Sequence, residues 1–343
     1  MSSRNPATSS PRRPDSAGDR APRHEINATV TEHRAIIGHE FEIIFHAPAI
    51  AHSARPGQFV EILFGDNYAP LVRRPFSMYR VDRDAGTFSV LYLARGAFTS
   101  GLARKREGDV VSLLGPLGRP FDWPDDPGMQ HILVAGGLGA PPLYFLASEL
   151  SRAAPGAGLP HRRGAWCADG VEPMHVEPAV RGGRQARGGE RTVDLEDAAA
   201  LAELARSPLV VINAARTESL LVGLSEFGEL DIALHVMTDD GSRGARGMAT
   251  ELLTALLDAE RRGAGTAAVY ACGPMPMLRS VGDIAVARGI RCQLSIETTM
   301  PCGIGLCQGC ATKVRDADAA GGFRYALACT DGPVFDAAEL IWS

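Results

Sequence analysis

The stretch of sequence that decides the fold is His131-Ile-Leu-Val-Ala-Gly-Gly-Leu-Gly-Ala-Pro-Pro142. A short apolar run leads into a glycine-rich turn, and the turn leads into the start of a helix. This order predicts the first unit of a parallel, doubly wound α/β sheet. Glycines in such a turn let the backbone approach a pyrophosphate at the helix N-terminus, and Pro141 suits an early helical position. Because Pro142 takes the place of the last glycine of GxGxxG, a simple tight turn explains the loop equally well on its own.

The same rhythm of strand, turn and helix continues toward the C-terminus. One strand runs directly into Cys272-Gly273-Pro274, which brings a second turn of small residues to the carboxyl edge of the sheet, where ligands bind. In all, parallel strands are predicted at residues 132–135, 208–213, 232–237, 267–272 and 292–297.

The N-terminal part of the chain has a different pattern. Short β-rich runs separated by turns, such as 59–64 and 87–93, predict a small antiparallel β-barrel or sandwich. The expected fold is therefore a multidomain α/β protein with an N-terminal antiparallel β-barrel, a doubly wound parallel α/β domain and a small C-terminal module. We divide it into a disordered tail (1–26), the barrel (27–125), the α/β domain (126–291) and the C-terminal module (292–343).

Two segments have a biased composition. The tail is rich in Ser, Pro and Arg, and it lacks the apolar core of a secretory signal. Residues 151–207 carry many Gly, Arg and Pro residues with little periodicity. We interpret them as an insertion into the α/β domain that ends in a short helix at 195–205.

Composition excludes several classes of protein. A chain of 343 residues is long enough for two or three domains, and a net charge of −5 argues against a nucleic-acid binder. No apolar run reaches the roughly eighteen residues that a membrane span needs, so we expect a cytoplasmic protein. Neither a Ser/His/Asp relay nor an HExxH motif is present, which leaves hydrolase chemistry without support and no residue assigned as a catalytic acid or base.

Four cysteines near the C-terminus are the strongest functional signal. Cys302, Cys307, Cys310 and Cys329 repeat the CxxxxCxxC…C spacing of plant-type [2Fe–2S] sites. Glycines between them allow a tight loop to turn its amides toward sulfur. A zinc site is the main alternative, although zinc sites usually have two paired CxxC-like halves. Inert buried thiols are a further alternative, whereas disulfides are disfavoured because the chain has seven cysteines and no secretory signal.

Several motifs together resemble a known family. Arg74-Pro-Phe-Ser77 resembles the RxYS-type flavin motif of the ferredoxin–NADP reductase superfamily. Gly136-Gly-Leu-Gly139 resembles its nicotinamide phosphate loop, and Cys272-Gly-Pro274 its nicotinamide-side loop. With the cysteine module added, the chain is most similar to the electron-transfer subunits of type B dihydroorotate dehydrogenases, over residues 27–150 and 208–343.

The resemblance implies a set of cofactor-binding residues. Arg74 would pair with the FAD pyrophosphate, Phe76 would lie against the isoalloxazine or ribityl group, and Ser77 would lie near flavin N5. A second FAD segment would contain Tyr92 and Thr99, although Phe98 replaces a glycine of its GxGT turn. Without the resemblance, Arg74 would fit a plain loop before a strand equally well. The full set is Arg74, Pro75, Phe76, Ser77, Tyr92, Gly96 and Thr99 for FAD, Gly136, Gly137, Gly139, Cys272, Gly273 and Pro274 for NAD, and the four cysteines for [2Fe–2S].

The choice between NAD and NADP depends on the segment after the strand at 232–237. Asp239 and Asp240 could bind a ribose diol, as acidic residues do in NAD sites. Arg216, Arg243 and Arg246 would instead suit a 2′-phosphate. The acidic pair and the resemblance favour NAD, while a solvated turn is the structural alternative.

The function that the resemblance implies is electron transfer. Electrons would pass from the FMN of a separate dihydroorotate dehydrogenase catalytic subunit through a [2Fe–2S] cluster and FAD to NAD⁺, in pyrimidine biosynthesis, within a heterotetramer. We expect the cysteine loop and the apolar residues of 331–342 to dock the partner, or else to cover the cluster. A hydrogenase- or sulfite-reductase-linked flavin subunit is one alternative function. A zinc-stabilised nucleotide-binding regulator is another, from a different class.

Overall fold

The computed structural model describes residues 22–36, 40–65, 71–124, 126, 128–153, 190–191, 198–259 and 267–342. Most of the predicted tail and most of the predicted insertion lie outside the described residues. The first strand begins at His24, which is inside the predicted tail, and a helix at Ala198–Ala205 occupies the end of the predicted insertion. Within the described ranges, no helix combines the length and the apolar character that crossing a bilayer requires.

Strands make up most of the regular structure, and the helices fall mainly in the second half of the chain. The helices are α1 (Pro48–Ser53), α2 (Ala97–Leu102), α3 (Ala140–Ala153), α4 (Ala198–Ala205), α5 (Leu224–Phe227), α6 (Ala249–Ala259) and α7 (Met275–Ala287). The strands are β1 (His24–Ala35), β2 (Glu40–His46), β3 (Phe59–Leu63), β4 (Arg74–Ser77), β5 (Val81–Asp82), β6 (Thr87–Leu93), β7 (Val110–Leu117), β8 (Gln130–Gly136), β9 (Glu190–Arg191), β10 (Leu209–Ala215), β11 (Ala233–Thr238), β12 (Ala245–Arg246), β13 (Ala267–Cys272), β14 (Arg291–Ser295), β15 (Ala311–Arg315), β16 (Phe323–Leu327) and β17 (Val334–Asp336).

The N-terminal strands form one antiparallel sheet in the order β4-β3-β7-β1-β2-β6-β5. Alternate side chains of these strands point into a shared apolar core that includes Val30, Ile43, Phe45 and Phe88. Strand β3 lies between β4 and β7, so it positions the residues of the predicted flavin motif on β4.

The C-terminal strands form a second sheet in the order β12-β11-β10-β8-β13-β14-β17, with β9 also paired to β11. All pairs are parallel except that of β14 with β17. Every residue of β13 is buried, as expected for a strand that has helices on both faces. The five predicted parallel strands are all present, and the predicted fold class is confirmed.

The C-terminal module is joined to both larger parts of the molecule. Its strands β14 and β17 belong to the parallel sheet, while β15 and β16 form a separate two-stranded hairpin. The Gln293 side chain accepts a hydrogen bond from Asp122 N–H and donates one to the Asp122 carbonyl, which ties β14 to the segment that follows the barrel. The module is therefore held between the barrel and the sheet.

Candidate cofactor sites

The β15–β16 hairpin brings two of the four predicted cluster ligands together. Its register pairs Ala311 with Leu327, so that Cys310 and Cys329 both lie at the open end of the hairpin. Their Sγ atoms are 3.3 Å apart, and both residues are buried. Two ligands 19 positions apart in sequence thus become neighbours through an ordinary antiparallel pairing.

The other two cysteines lie on the loop that precedes the hairpin and are more accessible. Cys307 N–H donates to Cys302 Sγ at 3.4 Å, and Gly309 N–H donates to Cys307 Sγ at 3.4 Å. Burial acts to raise the pKa of Cys302, but the N–H groups of Cys307 and Ile304 outweigh it and lower the pKa to about 6. The loop therefore favours the thiolate, which is the form that binds metal.

Two contacts link the four cysteines in pairs, one between the Sγ atoms of Cys310 and Cys329 and one from Cys307 N–H to Cys302 Sγ. In the part of the chain that the structure describes, no three His, Cys, Asp or Glu side chains surround one point as ligands of a single ion would. A tetrahedral zinc site needs four ligands about one centre, whereas a [2Fe–2S] cluster needs two thiolates on each of two irons. The donor set and its pairing fit the cluster, with Cys310 and Cys329 as the inner pair and Cys302 and Cys307 as the outer pair.

A buried acid lies between the flavin strand and the cysteine loop. Glu61, on β3, is fully buried and pairs with Pro75 on β4, and among the residues that the structure describes neither of its carboxyl oxygens has a hydrogen-bond partner. Its side chain lies against the backbone of Gly303. Burial, and next the nearby Cys302 thiolate, raise the pKa of Glu61 to about 8. The sequence analysis missed this residue because a glutamate within a β-rich run is normally assigned to the solvent face.

One cavity of about 290 Å³ brings the predicted flavin and nicotinamide motifs together. It lies between the barrel and the carboxyl edge of the parallel sheet. Six of the predicted site residues line it: Pro75, Phe76, Ser77, Tyr92, Thr99 and Cys272. The remaining predicted FAD and NAD residues lie outside this lining.

The aromatic wall of the cavity is held in place by neighbouring rings. Phe76 meets Tyr92 edge-on at 5.8 Å between ring centroids, and it packs against Phe98 at 6.0 Å. His33 Nδ1 lies 2.6 Å from the Lys105 carbonyl, which can only accept, so Nε2 accepts the Tyr92 hydroxyl hydrogen at 2.9 Å. These contacts present a fixed apolar surface of the kind that a planar ring system needs.

Phe98, which departs from the expected glycine, has a packing role. Its ring meets Phe64 at 4.8 Å, and it lies under the Arg74 guanidinium at 5.6 Å. Thr99 Oγ1 accepts a hydrogen bond from Arg95 N–H, and Gly96 immediately precedes α2. Phenylalanine in place of glycine at position 98 is therefore compatible with the local turn, and it adds an aromatic contact to the flavin strand.

Arg74 lies at the exposed start of β4, outside the cavity lining. Its Nη1 donates to the carbonyls of Val72 and Arg73 at 3.3 and 3.1 Å. The Arg74 side chain is exposed, and its charge acts on the buried carboxyl of Glu61, whose pKa it lowers against the larger effect of burial. A planar fork of donors is well suited to phosphate.

Replacing Arg74 with alanine is expected to weaken FAD binding about tenfold to a hundredfold. A charge-assisted hydrogen bond contributes roughly 1.5–3 kcal/mol, and each 1.4 kcal/mol is a factor of about ten. The dissociation constant of FAD from the apoprotein, followed by quenching of flavin fluorescence, measures the effect. Arg288→Ala, which removes a surface ion pair with Asp258, is the matched control. Equal FAD affinity in R74A and the wild type would assign the phosphate contact to another residue.

The two predicted nicotinamide loops pack directly on each other. They follow the adjacent parallel strands β8 and β13. A Cβ on Gly139 would overlap the Cys272 carbonyl, and a Cβ on Gly136 would lie 2.8 Å from Pro274 Cδ and Met277 Sδ. These glycines are thus required by close backbone packing between the loops, whether or not a pyrophosphate is bound.

The Gly139→Ala variant is expected to raise the KM for NADH about tenfold. The added methyl group displaces the phosphate loop from the Cys272 turn, and overpacking of this kind costs about 1–3 kcal/mol. Anaerobic reduction of bound FAD at varied NADH concentration gives the KM. Gly128→Ala serves as the control, because the nearest atom to its added Cβ is Asp126 Oδ1 at 3.4 Å. An unchanged KM in G139A would contradict this packing argument.

Cys272 lines the cavity at the end of β13. Burial raises the pKa of its thiol well above the ordinary value. A neutral thiol is a poor nucleophile, so Cys272 is suited to positioning a ligand and not to attacking it.

Comparison with known proteins agrees with this geometry. Residues 297–341 match the model of the iron-sulfur cluster binding domain of dihydroorotate dehydrogenase B. The electron transfer subunit of dihydroorotate dehydrogenase B (NAD(+)) from Bacillus caldolyticus is 32% identical over 314 residues, which are 91% of this chain and 97% of the relative. The chain belongs to the family of dihydroorotate dehydrogenase B electron transfer subunits. The resemblance inferred from the sequence motifs is thereby confirmed.

A more distant member of the same family and two solved structures extend the comparison. The family member from Desulforamulus reducens is 29% identical over 87% of this chain and 91% of its own length. A chain of the NADH-dependent reduced ferredoxin-NADP oxidoreductase superposes with a TM-score of 0.65 at 25% identity, covering 92% of this chain and 90% of that one. The ferredoxin reductase in carbazole 1,9a-dioxygenase shares the fold, with a TM-score of 0.53 at 18% identity over 78% and 67% of the two chains.

The structure adds cavity residues that sequence reasoning about this electron transfer subunit missed. Ser295, Glu297 and Met300 line the cavity between β14 and the first cysteine. Burial raises the pKa of Glu297 above its ordinary value. Their position at the C-terminal end of the predicted strand 292–297, or just after it, was the available signal, since ligands bind at the carboxyl edge of such sheets.

Two residues of the expected docking segment are not available to a partner of this subunit. Val334 and Phe335 are buried, so the expectation that they form a docking surface is wrong. Phe335 belongs to the same apolar cluster as Cys310 and Cys329. On the cysteine loop, by contrast, Leu306 is 75% exposed and Ile304 is 37% exposed.

Proposed function

We propose that this chain is the subunit through which a dihydroorotate dehydrogenase B delivers electrons from the FMN of a separate catalytic subunit to NAD⁺, in the synthesis of pyrimidines. It is an oxidoreductase subunit whose cofactors are FAD, a [2Fe–2S] cluster and NAD. The observation that carries the proposal is that residues of both the flavin and the nicotinamide motifs line one cavity, which is also lined by Met300, two positions before Cys302.

The cofactors supply the redox chemistry when bound, since an iron–sulfur cluster exchanges single electrons and a flavin connects one- and two-electron steps. The protein's residues bind, orient and exclude water. We assign Cys302, Cys307, Cys310 and Cys329 to the irons, and the amides of Cys307 and Gly309 stabilise thiolate charge at the outer pair. Phe76 and Tyr92 provide the ring-binding surface, and Arg74 provides the phosphate contact.

The nicotinamide would enter from the sheet side of the cavity. The loops at Gly136–Gly139 and Cys272–Pro274 form that side, and Cys272 and Leu138 line the cavity there. In the segment proposed to select NAD, Asp240 accepts hydrogen bonds from the N–H and hydroxyl of Ser242. Arg243 pairs with Glu218, so its charge is partly neutralised, which supports NAD over NADP.

The partner would be the FMN-containing catalytic subunit, and we propose a heterotetramer with two copies of each. The exposed apolar side chains of Ile304 and Leu306 lie on the same loop as the outer cysteine pair. Docking there would place the partner beside the cluster. A cytoplasmic location remains a prediction.

Replacing Leu306 with aspartate is expected to weaken binding of the catalytic subunit tenfold or more. Burial of one leucine at an interface contributes about 1.5–3 kcal/mol, and a carboxylate there would also have to be desolvated. The dissociation constant of the complex from calorimetry is the measurement. Val286→Asp, at an exposed position on α7, is the matched control. Wild-type affinity in L306D would move the docking surface elsewhere.

Anaerobic co-purification with a dihydroorotate-oxidising subunit is the test of the whole proposal. We expect the purified complex to contain FAD, FMN, iron and acid-labile sulfide, and to reduce NAD⁺ with dihydroorotate. A colourless protein with stoichiometric zinc would instead support a nucleotide-binding regulator. Association with a hydrogenase or a sulfite reductase would support the other alternative.

A further inference from the structure

We propose that Arg80 is a positioning residue that sets the distance between the nicotinamide and the flavin by joining the barrel to the helix that follows the phosphate loop. The inference rests on the proposed function, because it assumes that both cofactors share the cavity. Arg80 lies outside both predicted cofactor motifs in the sequence and acts through the elements that carry them.

Arg80 is close in sequence to one site and close in space to the other. It follows Ser77, the last residue of the flavin strand β4, by three positions. Its guanidinium carbon lies 5.7 Å from the ring centroid of Tyr144. Tyr144 is in the first turns of α3, directly after the phosphate loop at Gly137–Gly139. The Arg80 side chain thus connects the segment that follows the flavin strand β4 with the helix α3 that follows the phosphate loop.

The contact involves two aromatic rings and an ion pair. The Arg80 guanidinium carbon also lies 5.5 Å from the ring centroid of Tyr79, and the two tyrosine rings are 4.9 Å apart. Arg80 Nη2 lies 3.2 Å from Glu226 Oε1, and Glu226 belongs to α5 of the α/β domain. The Arg80 and Glu226 side chains are only 13% and 9% exposed. A pair that is so well shielded from water resists screening by salt and holds one geometry.

The barrel side of this contact is itself fixed. Arg80 Nε lies 3.6 Å from Glu42 Oε1, and Ser89 donates its hydroxyl hydrogen to the same oxygen at 2.7 Å. Arg34 binds the other carboxylate oxygen of Glu42 at 2.6 and 3.1 Å. Arg34 and Arg80 therefore share one buried carboxylate, but the acids that pair with Arg34 in the described part of the chain, Glu32 and Glu42, both belong to the barrel.

This sharing provides a matched pair of variants. Arg34→Gln and Arg80→Gln each remove one positive charge from Glu42, and only R80Q also breaks the contact with Tyr144 and Glu226 of the α/β domain. If the network merely stabilises the barrel, both variants should behave alike. If Arg80 sets the relative position of the barrel and the α/β domain, only R80Q should slow the reduction of FAD by NADH.

The experiment follows reduction of bound FAD by NADH in the anaerobic holoprotein by stopped-flow absorbance. We expect R80Q to retain FAD and iron at wild-type content, and to lose about tenfold in the limiting rate of FAD reduction. The long-wavelength absorbance of reduced nicotinamide stacked on flavin should weaken in parallel. We expect R34Q to keep the wild-type limiting rate, and Arg80→Lys, which keeps the charge but not the planar stack, to recover part of the rate.

Each other outcome overturns the inference. Equal rates in R80Q and the wild type would show that the contact does not set the distance, and equal losses in R80Q and R34Q would show a general effect on the barrel. If R80Q loses FAD, the limiting rate is measured on Glu226→Gln instead. This variant removes the other partner of the interdomain ion pair and should also slow FAD reduction. Failure of the wild-type protein to be reduced by NADH would instead contradict the proposed function.

Discussion

Replacing Cys307 with serine is expected to abolish assembly of the cluster and electron transfer to the catalytic subunit, while NADH still reduces bound FAD. Cys307 is the exposed member of the outer pair, so its loss removes a ligand without opening a cavity in a core. The hydroxyl of serine is a much poorer iron ligand than a thiolate, because it stays protonated near neutral pH. The FAD cavity shares no lining residue with the cysteine loop, so flavin binding should be retained.

Three measurements check this expectation: iron and acid-labile sulfide per chain, the electron paramagnetic resonance of the reduced protein, and the rate of FAD reduction by NADH. Cys292→Ala is the control, since Cys292 is a buried free thiol on β14. We expect C292A to retain full iron and sulfide. Unchanged iron and sulfide in C307S would remove Cys307 from the ligand set. Equal loss of cluster and of FAD reduction would argue against separate sites for the two cofactors.

Replacing Gly303 with alanine is expected to have a similarly large effect on the cluster. Gly303 has a φ of 66°, which L side chains rarely adopt. An added Cβ would lie 2.6 Å from Glu61 Cγ and 2.9 Å from Leu117 Cδ1. Glu61 lies on β3, which is paired on both sides, so its backbone resists displacement and the loop must move and carry Cys302 with it. We expect G303A to lose most of its iron and sulfide on purification.

A matched control separates the two causes. Gly322 lies in the turn between β15 and β16 with a φ of 69°, and an added Cβ there would meet no atom within 4 Å. Gly322→Ala therefore introduces the same backbone strain without the collision. We expect G322A to retain its cluster and to lose only about 1 kcal/mol of stability, as is usual for a residue forced into this conformation. If both variants lose the cluster equally, strain and not contact with Glu61 is the cause.

The sequence was sufficient for those features that depend on local order. Each predicted parallel strand is present, because a buried strand between two helical layers must be apolar along its length. The cysteine spacing likewise identified the cluster module, since the reach of a short loop and a hairpin limits where thiolates can meet. The flavin motif occupies a strand that lines the cavity, as its place in a β-rich segment suggested.

Residues that act through distant contacts could not be found in the same way. Glu61 and Arg80 are single charged residues in β-rich segments, and no sequence motif distinguishes them from solvent-exposed residues. Glu61 is buried only because the cysteine loop, more than two hundred positions later, closes over it. Arg80 gains its role only because α3 and α5 pack against the end of the flavin strand.

The sequence by itself determined the order of the parts, the five parallel strands of the α/β domain and the presence of an iron–sulfur module, because these follow from spacing and periodicity along one chain. Only the tertiary structure decided which glycines are needed for packing, which acid is buried and which cation joins the two larger parts. Burial and contact depend on what lies opposite a side chain, and that is set by the docking of whole elements, not by the residues on either side of it.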